Sequence, residues 1–142
     1  ERFDSIKNAL SHAQGEIVAV HDAVRPFVSK ETIDNCLKLT KEKGNAIPTI
    51  TIPFSLRKGD AIKSESVNRS EYFNVQTPQF FKTEIIKKAY EQPYQAFFTD
   101  DASVVESLGQ NIYLSTGNEE NIKITTPLDL EIATLINKTF IP

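Results

Sequence analysis

The 142 residues contain no methionine or tryptophan, a single cysteine and only five glycines. One cysteine excludes an internal disulfide and a cysteine-built zinc cluster. Cys36 sits in a segment of helical pattern and reads as a small buried apolar side chain, compatible with a reducing compartment and a cytoplasmic location. The glycines, at 15, 44, 59, 109 and 117, are scattered, so they build no glycine-rich phosphate cradle. No run approaches the roughly 18 apolar residues that a membrane span requires, and no signal sequence opens the chain. A basic excess is also lacking. The net charge of −3 argues against a general grip on nucleic acid, which needs cations to displace counterions from phosphates. The absence of methionine, with Glu1 leading straight into a helical pattern, is expected of a piece of a longer polypeptide.

With 39% hydrophobic and 25% charged positions, the chain has the composition of one ordinary globular domain able to bury a core. Its pattern alternates between helix and strand. Asp4 or Ser5 is expected to cap a first helix, "SIKNALSHA", and "EIVAV" follows as a short apolar strand. Ser29 starts a helix that Gly44 ends, with Ile33, Cys36 and Leu37 on one face. "NAIPTITI" reads as a strand. Residues 54–77 are polar, and their alternating pieces "AIKSESV" and "YFNVQT" suggest a hairpin or arm standing off the main sheet. A helix begins near Lys82. Thr99 is the expected cap of "DDASVVESLG", with Asp100 and Asp101 favoured by the helix dipole. "NIYLST" and "NIKIT" read as strands, and a final helix starts with Thr126 as cap, Pro127 in its first position and Asp129 in its first turn.

Apolar strands alternating with helices predict an α/β fold with a mostly parallel, Rossmann-like sheet covered on both faces. Ligands of such sheets gather beyond the carboxyl ends of the strands. Asp22 and Arg25 follow "EIVAV", Ser55 and Arg57 follow "TITI", and Lys123 follows "YLST", so charged groups collect where that rule points. On the residues alone, Asp22 and Arg25 either pair with each other in a strand-ending turn or serve a ligand. His21 reads as a packed or backbone-bonded ring rather than an acid or base. Arg69 and Lys123, taken singly, read as solvated charges. "TPQFF" reads as a turn followed by two core aromatics.

Five stretches, "ERFDSIKNAL", "HDAVRPF", "SVNRSEYFNVQTPQFF", "TDDASVVESLG" and "GNEENIKITTPLDLEIA", together resemble the 2-C-methyl-D-erythritol 4-phosphate cytidylyltransferases, in order and over essentially the whole length. The resemblance implies transfer of a cytidylyl group from CTP to a polyol phosphate with release of pyrophosphate and a divalent metal, usually Mg2+. It implies catalytic roles for Arg69 and Lys123, acceptor contacts from Asp22, Arg25, Ser55 and Thr77, nucleotide contacts from Arg2, Ser5 and the backbone at Ala23, and metal or hydroxyl binding by Asp22. It also implies that residues 1–142 are the C-terminal part of one nucleotidyltransferase domain whose glycine-rich, arginine- and lysine-bearing CTP loop lies upstream, so that these residues alone should not catalyse. The arm at about 54–77 would cross to a second subunit and complete the site in a homodimer. Ribitol 5-phosphate cytidylyltransferases share most of these motifs, and a non-catalytic polyol-phosphate-binding module is a further alternative. Phe54 stands where the family usually has aspartate, Ser55 where it has threonine and Glu120 where it has aspartate.

Overall fold

The computed structural model describes residues 2–140. Its elements, in order, are α1 (Arg2–His12), β1 (Ile17–Val20), α2 (Lys30–Lys43), β2 (Asn45–Thr51), β3 (Arg57–Gly59), β4 (Ser64–Ser66), β5 (Phe73–Val75), β6 (Gln79–Lys82), α3 (Thr83–Ala89), α4 (Asp101–Glu106), β7 (Leu114–Thr116) and α5 (Pro127–Phe140). A single 3-10 turn, Arg69–Glu71, precedes β5.

The class is the expected α/β, and the strand pairing makes the sheet a mixed one. Strand β6 lies between β1 and β2 and runs antiparallel to both. On β2, Thr49 pairs Val75 of antiparallel β5 on one side and Thr116 of parallel β7 on the other. Strands β1, β2 and β7 therefore point the same way, while the chain returning after residues 54–72 supplies the two reversed strands. The segment "TPQFF", expected to be a turn followed by two core aromatics, does bury Phe80 and Phe81, and these two residues lie on central strand β6. Its neighbours Phe80 and Phe81 face opposite sides, as strand geometry requires. Phe80 packs with Cys36 and Ala46 toward α2, and Phe81 packs with Phe3, Leu10, Val20, Ile47, Ile86 and Val105 toward α1, α3 and α4. Helices thus cover both faces.

Local chemistry sets most helix ends. Ser29 accepts from the Thr32 N–H, and Gly44 closes α2 at φ 98° with its N–H on the Thr40 carbonyl. That left-handed conformation favours glycine, and a Cβ there would meet Ile85 Cδ1 at 2.9 Å. Thr126 and Asp129 exchange bonds at the start of α5, the Asp129 N–H donating to Thr126 Oγ1 at 3.2 Å and the Thr126 N–H to Asp129 Oδ2 at 2.8 Å. Two expected caps move. Helix α1 already begins at Arg2, upstream of Asp4 and Ser5. Asp100, not Thr99, caps α4, because its carboxylate accepts from Ser103 N–H while the Ser103 hydroxyl meets the backbone of Asp100 in return.

Residues 57–66 form a separate two-stranded hairpin, β3 with β4, whose strand residues are all exposed. Within the expected arm, however, "YFNVQT" does not join this hairpin, since β5 pairs with β2 of the main sheet. The segment "NIKIT" is not a strand either. Its backbone is anchored by the Ile124 N–H on the Val24 carbonyl at 2.9 Å, a single tie across a loop rather than a ladder. Helix α5 leaves Leu128, Leu130 and Leu135 more than half exposed.

Candidate functional site

Beyond the carboxyl end of β1 the chain turns sharply, the Arg25 N–H bonding the Asp22 carbonyl at 3.0 Å, so both side chains project from one short loop. The loop after β7 meets them there. Asn118 ties the two loops together: its amide donates to the Phe27 carbonyl at 2.9 Å and its Oδ1 accepts from the Ser29 N–H at 3.0 Å. Lys123 Nζ consequently stands 3.3 Å from Asp22 Oδ2, and Arg25 Nε stands 3.4 Å from the same oxygen. Arg25 is largely enclosed at 13% side-chain exposure, Asp22 at 19%, while Lys123 is half open at 49%. Two cations on one carboxylate oxygen leave a net positive, partly desolvated spot. That is an arrangement suited to receiving an anion such as a phosphate group.

Burial pushes the Asp22 carboxyl upward, but the hydrogen bond and charge of Lys123, followed by those of Arg25, outweigh it and hold the group below its ordinary value of 3.8. The carboxylate is therefore charged throughout the neutral range. Thr77 joins the group because its hydroxyl oxygen accepts from the Asp22 N–H at 2.9 Å. Its peptide with Pro78 is cis, and the residue is buried between β5 and β6.

Of the residues singled out in the sequence, the structure brings together Asp22, Arg25, Lys123 and Thr77, with Ala23 exposed in the same loop. The others sit on other elements. Arg69 lies on the exposed 3-10 turn and donates from Nη1 to the Pro53 carbonyl at 2.5 Å, and Ser55 and Phe54 are exposed on the stretch before β3. Ser5 is exposed on α1. Arg2 is engaged elsewhere: its Nη2 is 2.6 Å from Oδ2 of Asp101, which is wholly buried and also accepts from the Tyr90 hydroxyl at 2.5 Å. Burial lowers the Arg2 guanidinium, but the Asp101 bond and charge, and to a lesser degree Asp22, raise it on balance. Burial and then the charge of Asp101 push the Tyr90 hydroxyl far up, so it serves as a permanent donor. The helix-dipole explanation of Asp101 was thus incomplete, since the side chain anchors α1 and α3 to α4. This network borders a cavity of about 250 Å³ lined by Arg2, Phe3, Tyr90, Tyr94 and Phe98.

A metal ion on Asp22 would need its other ligands from substrate oxygens and water rather than from neighbouring side chains. A divalent cation takes several oxygen ligands. The described residues hold no group of three or more His, Cys, Asp or Glu side chains able to bind one, and Asp22 Oδ2 already faces two positive groups.

Sequence reasoning missed Asn121. It is fully buried, donates from Nδ2 to the Thr77 carbonyl at 2.8 Å, and accepts Arg25 Nη1 on its own backbone oxygen at 2.8 Å. A polar residue beside "IKI" reads as exposed, and only the contacts across the sheet reveal otherwise.

A mixed α/β sheet that collects two cations and a carboxylate beyond its strand ends has the form of an anion-binding site. The sequence pattern of the IspD family, 2-C-methyl-D-erythritol 4-phosphate cytidylyltransferase, matches residues 1–139, and the chain belongs to that family. A curated relative of that description from Phocaeicola vulgatus is 48% identical over 136 residues, covering 95% of this chain and 62% of the relative. One from Clostridium botulinum is 42% identical over 144 residues, covering 97% and 64%. The crystal structure of the 2-C-methyl-D-erythritol 4-phosphate cytidylyltransferase from Thermus thermophilus superimposes with a TM-score of 0.87 at 32% identity, covering 96% of this chain and 69% of that one. The chain thus spans about three fifths of the length of the curated relatives it matches.

Proposed function

We propose that the protein takes part in cytidylyl transfer from CTP to 2-C-methyl-D-erythritol 4-phosphate, a step in isoprenoid precursor synthesis, and that these residues supply the acceptor side of the site. The observation that carries this reading is the convergence of Lys123 and Arg25 on Asp22 in a chain of this family. In the reaction an oxygen of the acceptor phosphate attacks the α-phosphorus of CTP. A new phosphorus–oxygen bond forms as the bond to the bridging oxygen of the β-phosphate breaks, and pyrophosphate leaves. Two polyanions must approach, so charge compensation and positioning dominate.

In this reading Lys123, half exposed at the mouth of the group, and Arg25, fixed by Asn121, neutralise the acceptor phosphate and aim its oxygen. Both bond Oδ2 of Asp22, which leaves Oδ1 to accept from a polyol hydroxyl beside the Thr77 hydroxyl. Arg2, Ser5 and the Ala23 backbone border the nucleotide, and Ser55 contributes a further hydroxyl. Arg69 reaches a neighbouring site from the 54–77 arm of a second subunit, which makes the working unit a homodimer. The exposed Phe54, Ile62, Tyr72 and Phe73 of that arm support this assembly. Mg2+ would be held by the phosphate oxygens of the nucleotide and shield their charge. The residues 1–142 form part of one nucleotidyltransferase domain in a cytoplasmic enzyme. No helix among the described residues is long and apolar enough to cross a membrane.

The test is pyrophosphate release by the complete polypeptide that carries these residues, with CTP and either 2-C-methyl-D-erythritol 4-phosphate or ribitol 5-phosphate. Turnover of the first supports the proposal. Turnover of ribitol 5-phosphate alone would reassign the acceptor, and binding of a polyol phosphate without pyrophosphate release would make the protein a non-catalytic module.

A further inference from the structure

Four residues around the acceptor group close a ring of hydrogen bonds. Arg25 Nη1 donates to the Asn121 carbonyl at 2.8 Å, and Asn121 Nδ2 donates to the Thr77 carbonyl at 2.8 Å. His21 Nδ1 lies 2.9 Å from Thr77 Oγ1, and His21 Nε2 lies 3.0 Å from the Arg25 carbonyl. His21 is the member the reaction has not used.

For a neutral imidazole the chemistry of these partners fixes where the protons sit. A carbonyl oxygen only accepts, so Nε2 carries a hydrogen and donates it to Arg25. In a neutral ring Nδ1 then offers a lone pair, and the hydrogen it accepts must come from the Thr77 hydroxyl. One of the two lone pairs of Thr77 Oγ1 is already taken by the Asp22 N–H at 2.9 Å. What Thr77 has left for a ligand is a single lone pair and no proton. A group presented in that way attracts a hydroxyl and repels a phosphate oxygen, whereas Lys123 and Arg25 beside it do the reverse.

We propose that His21 is a positioning residue for the acceptor site. As the neutral Nε2–H tautomer it holds the Thr77 hydroxyl proton and the Arg25 carbonyl, so that Thr77 meets a ligand only as an acceptor and takes a polyol hydroxyl. This assignment rests on the polyol-phosphate reading above and sets the orientation of the acceptor within it: phosphate toward Lys123 and Arg25, hydroxyl toward Thr77. His21 touches no ligand in this scheme and acts through Thr77 and the 22–25 loop.

Two measurements on the complete polypeptide test it. Long-range proton–nitrogen correlation spectra of the imidazole groups, recorded at about pH 8 where an ordinary histidine is neutral, give the tautomer without any substrate. The sequence has only two histidines, so a His12→Gln variant identifies the signals of His21. A protonated Nε2 with a lone pair on Nδ1 is expected; a proton on Nδ1 overturns the proposal. The second measurement is steady-state kinetics in both substrates. His21→Ala is expected to raise the KM for the polyol phosphate about tenfold, the value of one well-made hydrogen bond, with the KM for CTP within about twofold. His21→Asn, whose amide oxygen can stand near the Nδ1 position and accept from Thr77, recovers part of the loss. In a Thr77→Val background the His21→Ala effect disappears, because the two residues act as a unit. Equal loss toward both substrates, normal kinetics of His21→Ala, or full additivity with Thr77→Val would overturn the proposal. Should His21→Ala fail to fold, His21→Asn and the tautomer decide. Absence of pyrophosphate release from the unmodified protein would defeat the polyol-phosphate reading, while the nitrogen spectra would still judge the tautomer.

Discussion

Lys123 Nζ and Asp22 Oδ2 stand 3.3 Å apart at the meeting of two loops that belong to opposite ends of the chain. Because Lys123 is half open to solvent, the pair adds little to stability, and its placement matters for what it presents to a ligand. Lys123→Ala is therefore expected to change unfolding free energy by no more than about 0.5 kcal/mol. In the proposed reaction, turnover of the complete polypeptide with CTP and the polyol phosphate should fall by about a hundredfold or more, the usual order for removing one charged donor from a reacting phosphate. Denaturant melts and pyrophosphate release measure the two quantities on the same samples.

Asp22 gives a pH prediction with a definite sign. Its folded carboxyl lies below the ordinary 3.8 because Lys123 and Arg25 overcome the effect of burial. The stability it contributes is fully present above the unfolded value and is lost as the pH falls through the folded one. Carboxyl-carbon NMR titration should place the midpoint below 3.8, and Lys123→Ala should move that midpoint upward. An unchanged midpoint in the variant would show that the pair is not formed in solution.

Arg2 is expected to act on stability. Removing it leaves the buried carboxylate of Asp101 with Tyr90 as its remaining side-chain partner. Arg2→Ala should cost about 1–3 kcal/mol, toward the low end of what removing a partner from a buried charge costs, since Arg2 itself is nearly half exposed and screened by water. Urea unfolding checks the value. Tyr90→Phe, which removes the other donor, should be destabilising in the same sense.

Gly44 tests the close of α2. At φ 98° an alanine is strained, and its Cβ would press on Ile85 at 2.9 Å. Gly44→Ala should lower stability by about 1–2 kcal/mol, read from thermal or urea unfolding, with the KM values of the complete polypeptide unaffected because the position lies at the opposite end of β2 from the site.

The helices were legible in the sequence because their determinants are neighbours. Ser29 with Thr32, Gly44 after Lys43, and Thr126 with Asp129 each specify an end through bonds spanning three or four residues. Where a cap was misplaced, as at Thr99 for Asp100, the competitor was the next residue, and the capping box with Ser103 chose between them. The apolar strands "EIVAV" and "NAIPTITI" were equally plain. The motif residues around Asp22, Arg25 and Lys123 were legible through their place after strands and through the family resemblance.

What the sequence determined by itself is therefore the α/β class, the order of its main elements and the types of residue available at the strand ends. The tertiary structure alone decided that β6 enters between β1 and β2, that "NIKIT" is a loop, that Asp101 anchors Arg2 and Tyr90, and that Asn121 and His21 close a ring with Thr77 and Arg25. The physical reason is one of range. A cap or an apolar period is fixed by bonds within a few residues, whereas a buried polar side chain must satisfy its hydrogen bonds with whatever distant segment the packed core brings within about 3 Å, a choice the local sequence does not contain.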